Sequence, residues 1–173
     1  MPFLIASDIH GSSSAFHTLV ERYRSHNVEE MLLLGDLNPD YLDRYELMSV
    51  SKVLVRGNCD SSYDFQQAGM PLPPLVQRIS WMGRTIVMTH GDRWPSPYGL
   101  SMRKHDIFCF GHIHQSRMYL DDDGILVLNP GSAAYPRGGG PASYMLLYPD
   151  RVELHALSGD TLLQGLAIAP LKA

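Results

Sequence analysis

The sequence predicts a mixed fold of class α/β (α+β). Its first third has parallel strands, and its second half is more antiparallel. Short apolar runs recur along the chain, and each is followed at once by polar residues and often by glycine. Such runs are typical of strands that are buried on both faces. A segment with helical spacing of apolar side chains separates the first two runs, whereas short turns separate most of the later ones.

The first third of the chain predicts the order β-α-β-α-β with right-handed crossovers. Strands are expected at Phe3–Ser7, Met31–Leu34 and Lys52–Val55. A helix is predicted over Ser12–Asn27, because a serine-rich cap precedes apolar side chains at helical spacing. A shorter helix is predicted over Tyr41–Ser49.

The second half predicts strands that pair mainly antiparallel. Val76–Trp81 and Thr85–Thr89 flank Met82-Gly83 as in a hairpin, and Ile107–Phe110 has the composition of a buried strand. The later strands are expected at Met118–Leu120, Ile125–Leu128, Tyr144–Leu147 and Val152–Leu154. Their spacing is typical of antiparallel strands, and we expect two sheets packed face to face.

The composition limits the classes of function. The 173 residues, 45% of them hydrophobic, predict one domain over 1–173. The net charge of -4 argues against an extended nucleic-acid surface, which would need clustered cations, but permits a small phosphorylated substrate. We find no signal peptide, no run of membrane-spanning length and, with only Cys59 and Cys109, no disulfide framework. These features predict a cytoplasmic protein without membrane contact.

Five predicted strand ends carry side chains that commonly bind metals. They are Asp8 with His10, Asp36, Asn58, His90, and His112 with His114. Ligands of α/β sheets bind beyond the carboxyl ends of the strands, where several loops meet. Donors spaced i, i+2 on an extended backbone lie on one face, as in the first and last of these groups. We therefore predict that the seven side chains share one centre.

The donor set indicates two divalent metal ions. Two carboxylates, one amide and four imidazoles, with no thiolate, favour Mn, Fe, Zn or Co over a structural zinc site. Seven donors exceed one tetrahedral shell. Two dications about 4 Å apart would repel by on the order of 16 kcal/mol at an effective dielectric constant of about 20, so anions must lie between them. A bridging carboxylate and a bridging hydroxide meet this need, and the hydroxide is the predicted nucleophile for in-line attack on phosphorus.

The ordered motifs resemble those of the calcineurin-like metallophosphoesterase superfamily, and within it the small YfcE-like phosphodiesterases. The motifs are Ser7-Asp8-Ile9-His10-Gly11, Gly35-Asp36, Arg56-Gly57-Asn58-Cys59-Asp60, His90-Gly91, Gly111-His112-Ile113-His114, Asn129-Pro130-Gly131-Ser132 and Pro136-Arg137-Gly138-Gly139. The resemblance extends from residue 3 to about the last strand. It implies a two-layer β-sandwich flanked by helices, with a dinuclear site at the strand ends.

The resemblance also implies how the metal ligands are shared. Asp8, His10 and His114 would hold the first ion. The second ion would be held by Asn58, His90 and His112, and Asp36 would bridge the two. Mn is the metal most expected, with Fe, Zn, Co or Ni as alternatives.

Three predicted catalytic residues are adjacent, namely Asn58, Cys59 and Asp60. In much of the superfamily a histidine follows the asparagine and protonates the leaving group, but here a cysteine stands in that place. A thiol with a pKa near ~8.5 is a poor substitute for imidazolium, and the alternative is a small buried apolar residue. Asp60 either orients a ligand or water or ends a strand. Arg137 is the predicted contact for substrate phosphate, the alternative being an exposed loop arginine.

The predicted function is hydrolysis of a small phosphoester by a metal-dependent phosphodiesterase or phosphatase, with a preference for good leaving groups such as those of aryl diesters. The alternative is a catalytically weak scaffold resembling the retromer subunit VPS29. Competent donors at all seven positions favour catalysis. The short segment Gly35–Asp40 leaves monoesters, linear diesters and cyclic nucleotides open as substrates. A homodimer or higher oligomer is also expected, with Tyr98, Leu100 and Met102 as exposed apolar contacts.

Overall fold

The computed structural model describes residues 1–171, which form eleven strands, three α-helices and one short 3-10 helix. The strands are β1 Phe3–Ala6, β2 Glu30–Leu33, β3 Lys52–Leu54, β4 Val76–Trp81, β5 Arg84–Thr89, β6 Ile107–Cys109, β7 Ser116–Leu120, β8 Leu126–Pro130, β9 Ser143–Leu147, β10 Arg151–Ala156 and β11 Leu162–Ala167. The helices are α1 Ser13–Ser25, α2 Arg44–Ser49 and α3 Ser62–Gln67, and the 3-10 helix is Pro39–Tyr41. No helix among the described residues is long and apolar enough to cross a membrane.

The strands form two sheets, which confirms the predicted fold class. The first sheet has six strands in the order β11-β10-β9-β1-β2-β3, and the second has five in the order β4-β5-β6-β8-β7. Strands β1, β2 and β3 are mutually parallel, as predicted. The second sheet is more mixed than predicted, because β5, β6 and β8 also run parallel. Parallel neighbours need a crossover of about a dozen residues or more, and the segment between β5 and β6 supplies it without a helix.

Alternate residues of the central strands pack on opposite sides of the first sheet. In β1, Leu4 packs towards the helices with Phe16 of α1, whereas Ile5 packs towards the second sheet with Met88 of β5. This alternation follows from the two-residue period of a strand. Both neighbouring layers are apolar, so the strand is hydrophobic throughout.

The segment 91–105 covers the outer face of the second sheet. Leu100 and Trp94 pack there against Val87 and Phe108. Leu100 is only 6% exposed, so its predicted role as an exposed oligomer contact is wrong. Tyr98 is 91% exposed, and the oligomeric state remains a prediction.

Several element boundaries differ from those predicted. Helix α1 starts after Ser12, whose side chain accepts a hydrogen bond from the Ala15 amide, as the serine-rich cap suggested. The predicted helix over Tyr41–Ser49 is instead a 3-10 turn followed by α2, which Asp43 caps. Helix α3 and strand β11 were not predicted. Helix α3 buries only Phe65, and β11 is mostly exposed, so neither has a strong periodic pattern.

A polar network ties the β10–β11 turn to the end of α1. Asp160 in the turn accepts hydrogen bonds from the hydroxyl of buried Tyr144 and from His26 Nε2, the latter at 2.7 Å. His155 Nδ1 lies 3.1 Å from Asp160 Oδ1. The network lies on strands β9 and β10, on α1 and on the turn, and it holds these parts together.

Candidate metal centre

The loops that leave β1, β2, β3, β5 and β6 carry the seven predicted metal ligands. The first sheet contributes Asp8, His10, Asp36 and Asn58, and the second contributes His90, His112 and His114. The donor atoms of these side chains lie close together beyond the carboxyl ends of the strands.

Asp8 directs one unpaired oxygen into this centre. Its Oδ2 accepts hydrogen bonds from Ser7 Oγ at 2.6 Å and from the His112 amide at 2.9 Å. Its Oδ1 is buried and makes no hydrogen bond among the described residues. That atom lies 3.2 Å from His114 Nε2 and 3.9 Å from His10 Nε2. A buried carboxylate oxygen without a donor is costly, and a cation would compensate it.

Asp36 lies between the two groups of ligands. Its Oδ2 is 3.2 Å from His90 Nε2 and 3.7 Å from His10 Nε2. On the His90 side, Asn58 Oδ1 and His112 Nδ1 lie 3.1 and 3.3 Å from His90 Nε2. The position of Asp36 is therefore suited to a bridging carboxylate, as the family resemblance implied.

Backbone carbonyls fix the orientation of two imidazoles. His90 Nδ1 donates to the Leu34 carbonyl at 2.8 Å, and His114 Nδ1 donates to the Tyr135 carbonyl at 2.7 Å. In the neutral ring each of these bonds leaves Nε2 as a lone-pair donor that faces the centre. The Nε2 atoms of His10 and His114 are only 3.3 Å apart. Lone pairs and carboxylates that converge in this way fit a bound cation.

The pKa values of two groups reflect the negative potential of the centre. Burial acts to lower the pKa of His90, but the hydrogen bond and charge of Asp36, with the charge of Asp8, raise it to about 9. Burial acts to raise the pKa of Asp36, but the His90 contact lowers it overall. Positive charge is thus favoured here. The residues fit divalent ions by donor type, by orientation and by the unpaired Asp8 oxygen.

The backbone of the ligand loops is unusual. Asp8, His10, Asp36, His112 and His114 all have positive φ angles, between 47° and 68°. Non-glycine residues seldom adopt this region, and such strain collects at functional sites. At Gly57 the chain passes so close to Asp36 that an added Cβ would lie 2.1 Å from Oδ1. Only glycine fits this position.

Asp60 accepts hydrogen bonds from the backbone of two ligand loops. Its Oδ2 accepts from the amides of Asp36 and Gly57, each at 2.8 Å. Its Oδ1 accepts from the amides of Leu37 and Asn38 at 2.9 and 3.0 Å. Both oxygens are occupied and the side chain is buried, which supports the predicted orienting role, and a direct part in catalysis stays a prediction.

Cys59 lies at the exposed side of the centre. Its amide donates to Asp36 Oδ1 at 2.8 Å, and the Asn58 side-chain amide donates to its Sγ at 3.5 Å. The residue is exposed, so the alternative of a small buried apolar residue is wrong. Burial of the sulfur and the nearby Asp36 carboxylate raise the pKa of the thiol to about 11. The thiol therefore carries its proton at neutral pH.

Residues of the β8–β9 loop support the centre, and sequence reasoning missed them. Ser132 Oγ donates to the Asp8 carbonyl at 2.7 Å and accepts from the Tyr135 amide at 2.8 Å. The Tyr135 ring lies edge-on to His10, with centroids 5.8 Å apart. Any residue at position 135 could supply this backbone carbonyl, so its contact with His114 cannot be predicted from residue type. Among the sequence signals, only the family resemblance of Asn129-Pro130-Gly131-Ser132 pointed to this loop. Arg137 is exposed beside His114, and its substrate contact remains a prediction.

Comparisons with known proteins identify the family to which the chain belongs. A family model described as the calcineurin-like phosphoesterase superfamily domain matches residues 1–151. Phosphodiesterase YfcE of Escherichia coli K12 is 28% identical over 184 residues, covering 98% of this chain and 100% of the relative. The probable metallophosphoesterase YsnB of Bacillus subtilis is 29% identical over 154 residues, covering 85% of this chain and 83% of its own.

Solved structures show the same fold. The E. coli YfcE phosphoesterase superposes with a TM-score of 0.86 at 28% identity, over 98% of this chain and 100% of that one. Vps29 of Entamoeba histolytica, in a complex with zinc, gives a TM-score of 0.75 at 21% identity, with the same coverage. The second likeness bears on the fold alone.

Proposed function

Because the chain belongs to the calcineurin-like phosphoesterase superfamily, a family of hydrolases, we propose that it is a metal-dependent phosphodiesterase acting on a small phosphoester. The observation that most directly supports this proposal is the unpaired, buried Oδ1 of Asp8, which lies within 4 Å of imidazole nitrogens of His10 from the first sheet and His114 from the second. A purely structural site would have given that oxygen a hydrogen-bond donor.

Two divalent ions, Mn foremost, are the proposed cofactors. Asp8, His10 and His114 would hold one, Asn58, His90 and His112 the other, and Asp36 would bridge them. When bound, such ions activate water as a nucleophile and offset the negative charge of a phosphoryl group.

The chain's own groups provide orientation. The Leu34 and Tyr135 carbonyls hold the rings of His90 and His114, so that neither must reorganise during turnover. Asp60 holds the loops that carry Asp36 and Asn58.

The proton supply favours esters with good leaving groups. Cys59 lies beside Asp36 and is a candidate acid, but a thiol gives its proton less readily than an imidazolium. Nitrophenolate needs little protonation on departure, whereas an alkoxide needs it. We therefore propose aryl-type phosphodiesters as preferred substrates.

The test is hydrolysis of bis-p-nitrophenyl phosphate with added Mn²⁺, before and after chelation. We expect activity that EDTA abolishes and Mn²⁺ restores. His10→Ala should lose it, whereas His17→Ala should not, since His17 lies exposed on α1 and pairs with Glu46. A protein that binds the metals but stays inert with or without chelator would favour the scaffold alternative.

A further inference from the structure

A cleft beside the metal centre combines features that suit an anion. It lies under the Gly-rich loop that follows Arg137 and has a volume of about 130 Å³. His114 forms part of its wall, together with Gln115, Arg117 and Gly138. A proposed metal ligand therefore separates this cleft from the proposed reaction centre.

The charge of the cleft differs from that of the whole chain. The chain carries a net charge of -4, yet the cleft is lined by Arg117 and Arg137 and by no acidic side chain. Neither arginine forms an ion pair within residues 1–171. The Arg117 guanidinium donates to Gln115 Oε1 at 2.8 Å and to the Ser116 carbonyl at 2.9 Å, so it is held at the cleft by neutral partners. Its charge is uncompensated there.

The loop adds backbone donors. Gly138 and Gly139 have φ angles of 75° and 81°, and their amides donate no hydrogen bond to the part of the chain that the structure describes. Consecutive amides in a turn form concave anion sites, and Gly138 and Gly140 of this turn line the cleft. A side chain at Gly138 would collide with Gln115 Nε2 at 2.8 Å, so glycine allows the loop to lie close to the cleft.

The loop is also joined to the centre. The Arg137 amide donates to the His114 carbonyl at 2.9 Å, and the Tyr135 carbonyl holds the ring of the same histidine. The backbone at Arg137 and the ring of the proposed metal ligand are thus held next to each other.

We infer that this cleft is a subsite for a second anionic group, such as a phosphate, on the substrate. The inference rests on the proposed phosphodiesterase function and specifies its substrate class. The cleft borders His114, whereas Cys59 contacts Asp36 and Asn58. We place the second anion on the ester arm that stays bonded to phosphorus after hydrolysis.

The test compares two substrates with the same reacting diester and the same leaving group. One is the 5′-(p-nitrophenyl phosphate) of a 2′-deoxynucleoside, and the other carries a further phosphate on its 3′-hydroxyl. With Mn²⁺ present, the extra phosphate should raise kcat/KM by about tenfold, since charge-assisted hydrogen bonds to guanidinium are strong. Arg117→Gln with Arg137→Gln should bring this ratio close to one.

The matched control is Arg103→Gln, which removes a positive charge from an exposed position. Arg103 precedes the first residue of β6, whereas the metal ligands follow the last residue of that strand. This variant should keep the ratio of the natural chain. Equal kcat/KM for the two substrates, or a ratio that survives the double substitution, would overturn the subsite while leaving the phosphodiesterase proposal intact.

A second measurement does not depend on turnover. With EDTA present, inorganic phosphate should shift the NMR signals of the Gly138 and Gly140 amides, which line the cleft, in a saturable way. The double Arg variant should lose these shifts. If the amides of the natural chain do not respond, the subsite is excluded whether or not any ester is hydrolysed.

Discussion

At the residue scale, the two oxygens of one carboxylate have different partners. Asp8 Oδ2 is fixed by Ser7 and the His112 amide, which leaves Oδ1 free for a cation. Asp36 follows the same rule, since Oδ1 accepts from the Cys59 amide while Oδ2 faces His90. The residue types of both ligands were predictable from sequence. The assignment of individual oxygens was not, because it depends on backbone amides from distant loops.

Substitution of the proposed bridge should affect both metals. Asp36→Ala is expected to lose both ions together, because its Oδ2 lies near His10 and His90, one from each ligand group. Asn58→Ala should mainly weaken one ion, since Asn58 contacts only His90 among the other ligands. Metal content per chain after dialysis checks both expectations. Two ions and full activity in Asp36→Ala would refute the bridging role.

The residue after Asn58 should set the leaving-group preference. Cys59→Ala is expected to keep most turnover of bis-p-nitrophenyl phosphate, whose leaving group needs no acid. Cys59→His should raise turnover of alkyl diesters, because an imidazolium is a better proton donor than a thiol. Steady-state rates on matched aryl and alkyl esters provide the measurement. A large loss of nitrophenyl turnover in Cys59→Ala would contradict this account.

At the element scale, the polar loops that end β2 and β3 depend on one buried side chain. Asp60 accepts four backbone amides, from Asp36, Leu37, Asn38 and Gly57. The sequence showed that loops after these strands would carry ligands. It could not show what holds them, because an aspartate after a strand has several equally common local roles.

Asp60→Asn should therefore weaken both stability and metal binding. The side-chain NH₂ cannot accept a hydrogen bond, so at least one amide pair is left without an acceptor at a cost of about 1 to 3 kcal/mol. We expect a lower melting temperature and a lower metal affinity, the latter measured by competition with a chelator. The matched control is Asp64→Asn in α3, whose side chain makes only a 3.4 Å contact with Asn38. If Asp60→Asn matched this control in both measurements, the positioning role would be wrong.

At the scale of the whole molecule, the sequence predicted the two-sheet fold and the strands that carry ligands, and it erred where contacts are long-range. The parallel pairing of β5 with β6 depends on a crossover that has no helical pattern to reveal it. The burial of Leu100 depends on that same crossover folding back over Val87 and Phe108. Weakly patterned elements such as β11 become strands only because β10 offers an edge.

The Asp160 network should stabilise the packing of the first sheet against α1. Burial acts to raise the pKa of Asp160, but hydrogen bonds from Tyr144 and His26 lower it overall. Asp160→Asn is therefore expected to cost about 1 to 2 kcal/mol of unfolding free energy at neutral pH. A carboxyl group whose pKa is lower in the folded state stabilises the fold at pH values above its unfolded pKa of about 3.9. This contribution is lost as the pH falls through the folded pKa.

Denaturant unfolding of the natural chain and the variant across acid pH measures this difference. It should be present at pH 7 and disappear in strong acid. Asp150→Asn is the control, because Asp150 is exposed and pairs only with its neighbour Arg151. A difference that stayed constant down to strong acid would show that the carboxylate charge is not involved.

The ligands come from both sheets, and this has a consequence for how the protein resists unfolding. Neither sheet alone holds a complete set of donors for either proposed ion, since His114 completes the first set and Asn58 the second. Each bound ion would therefore link the two sheets, and its binding free energy would add to the free energy needed to separate them. Chelation should accelerate amide hydrogen exchange along β5 and β6 as well as in the ligand loops, because these strands carry the second-sheet ligands that link the two sheets.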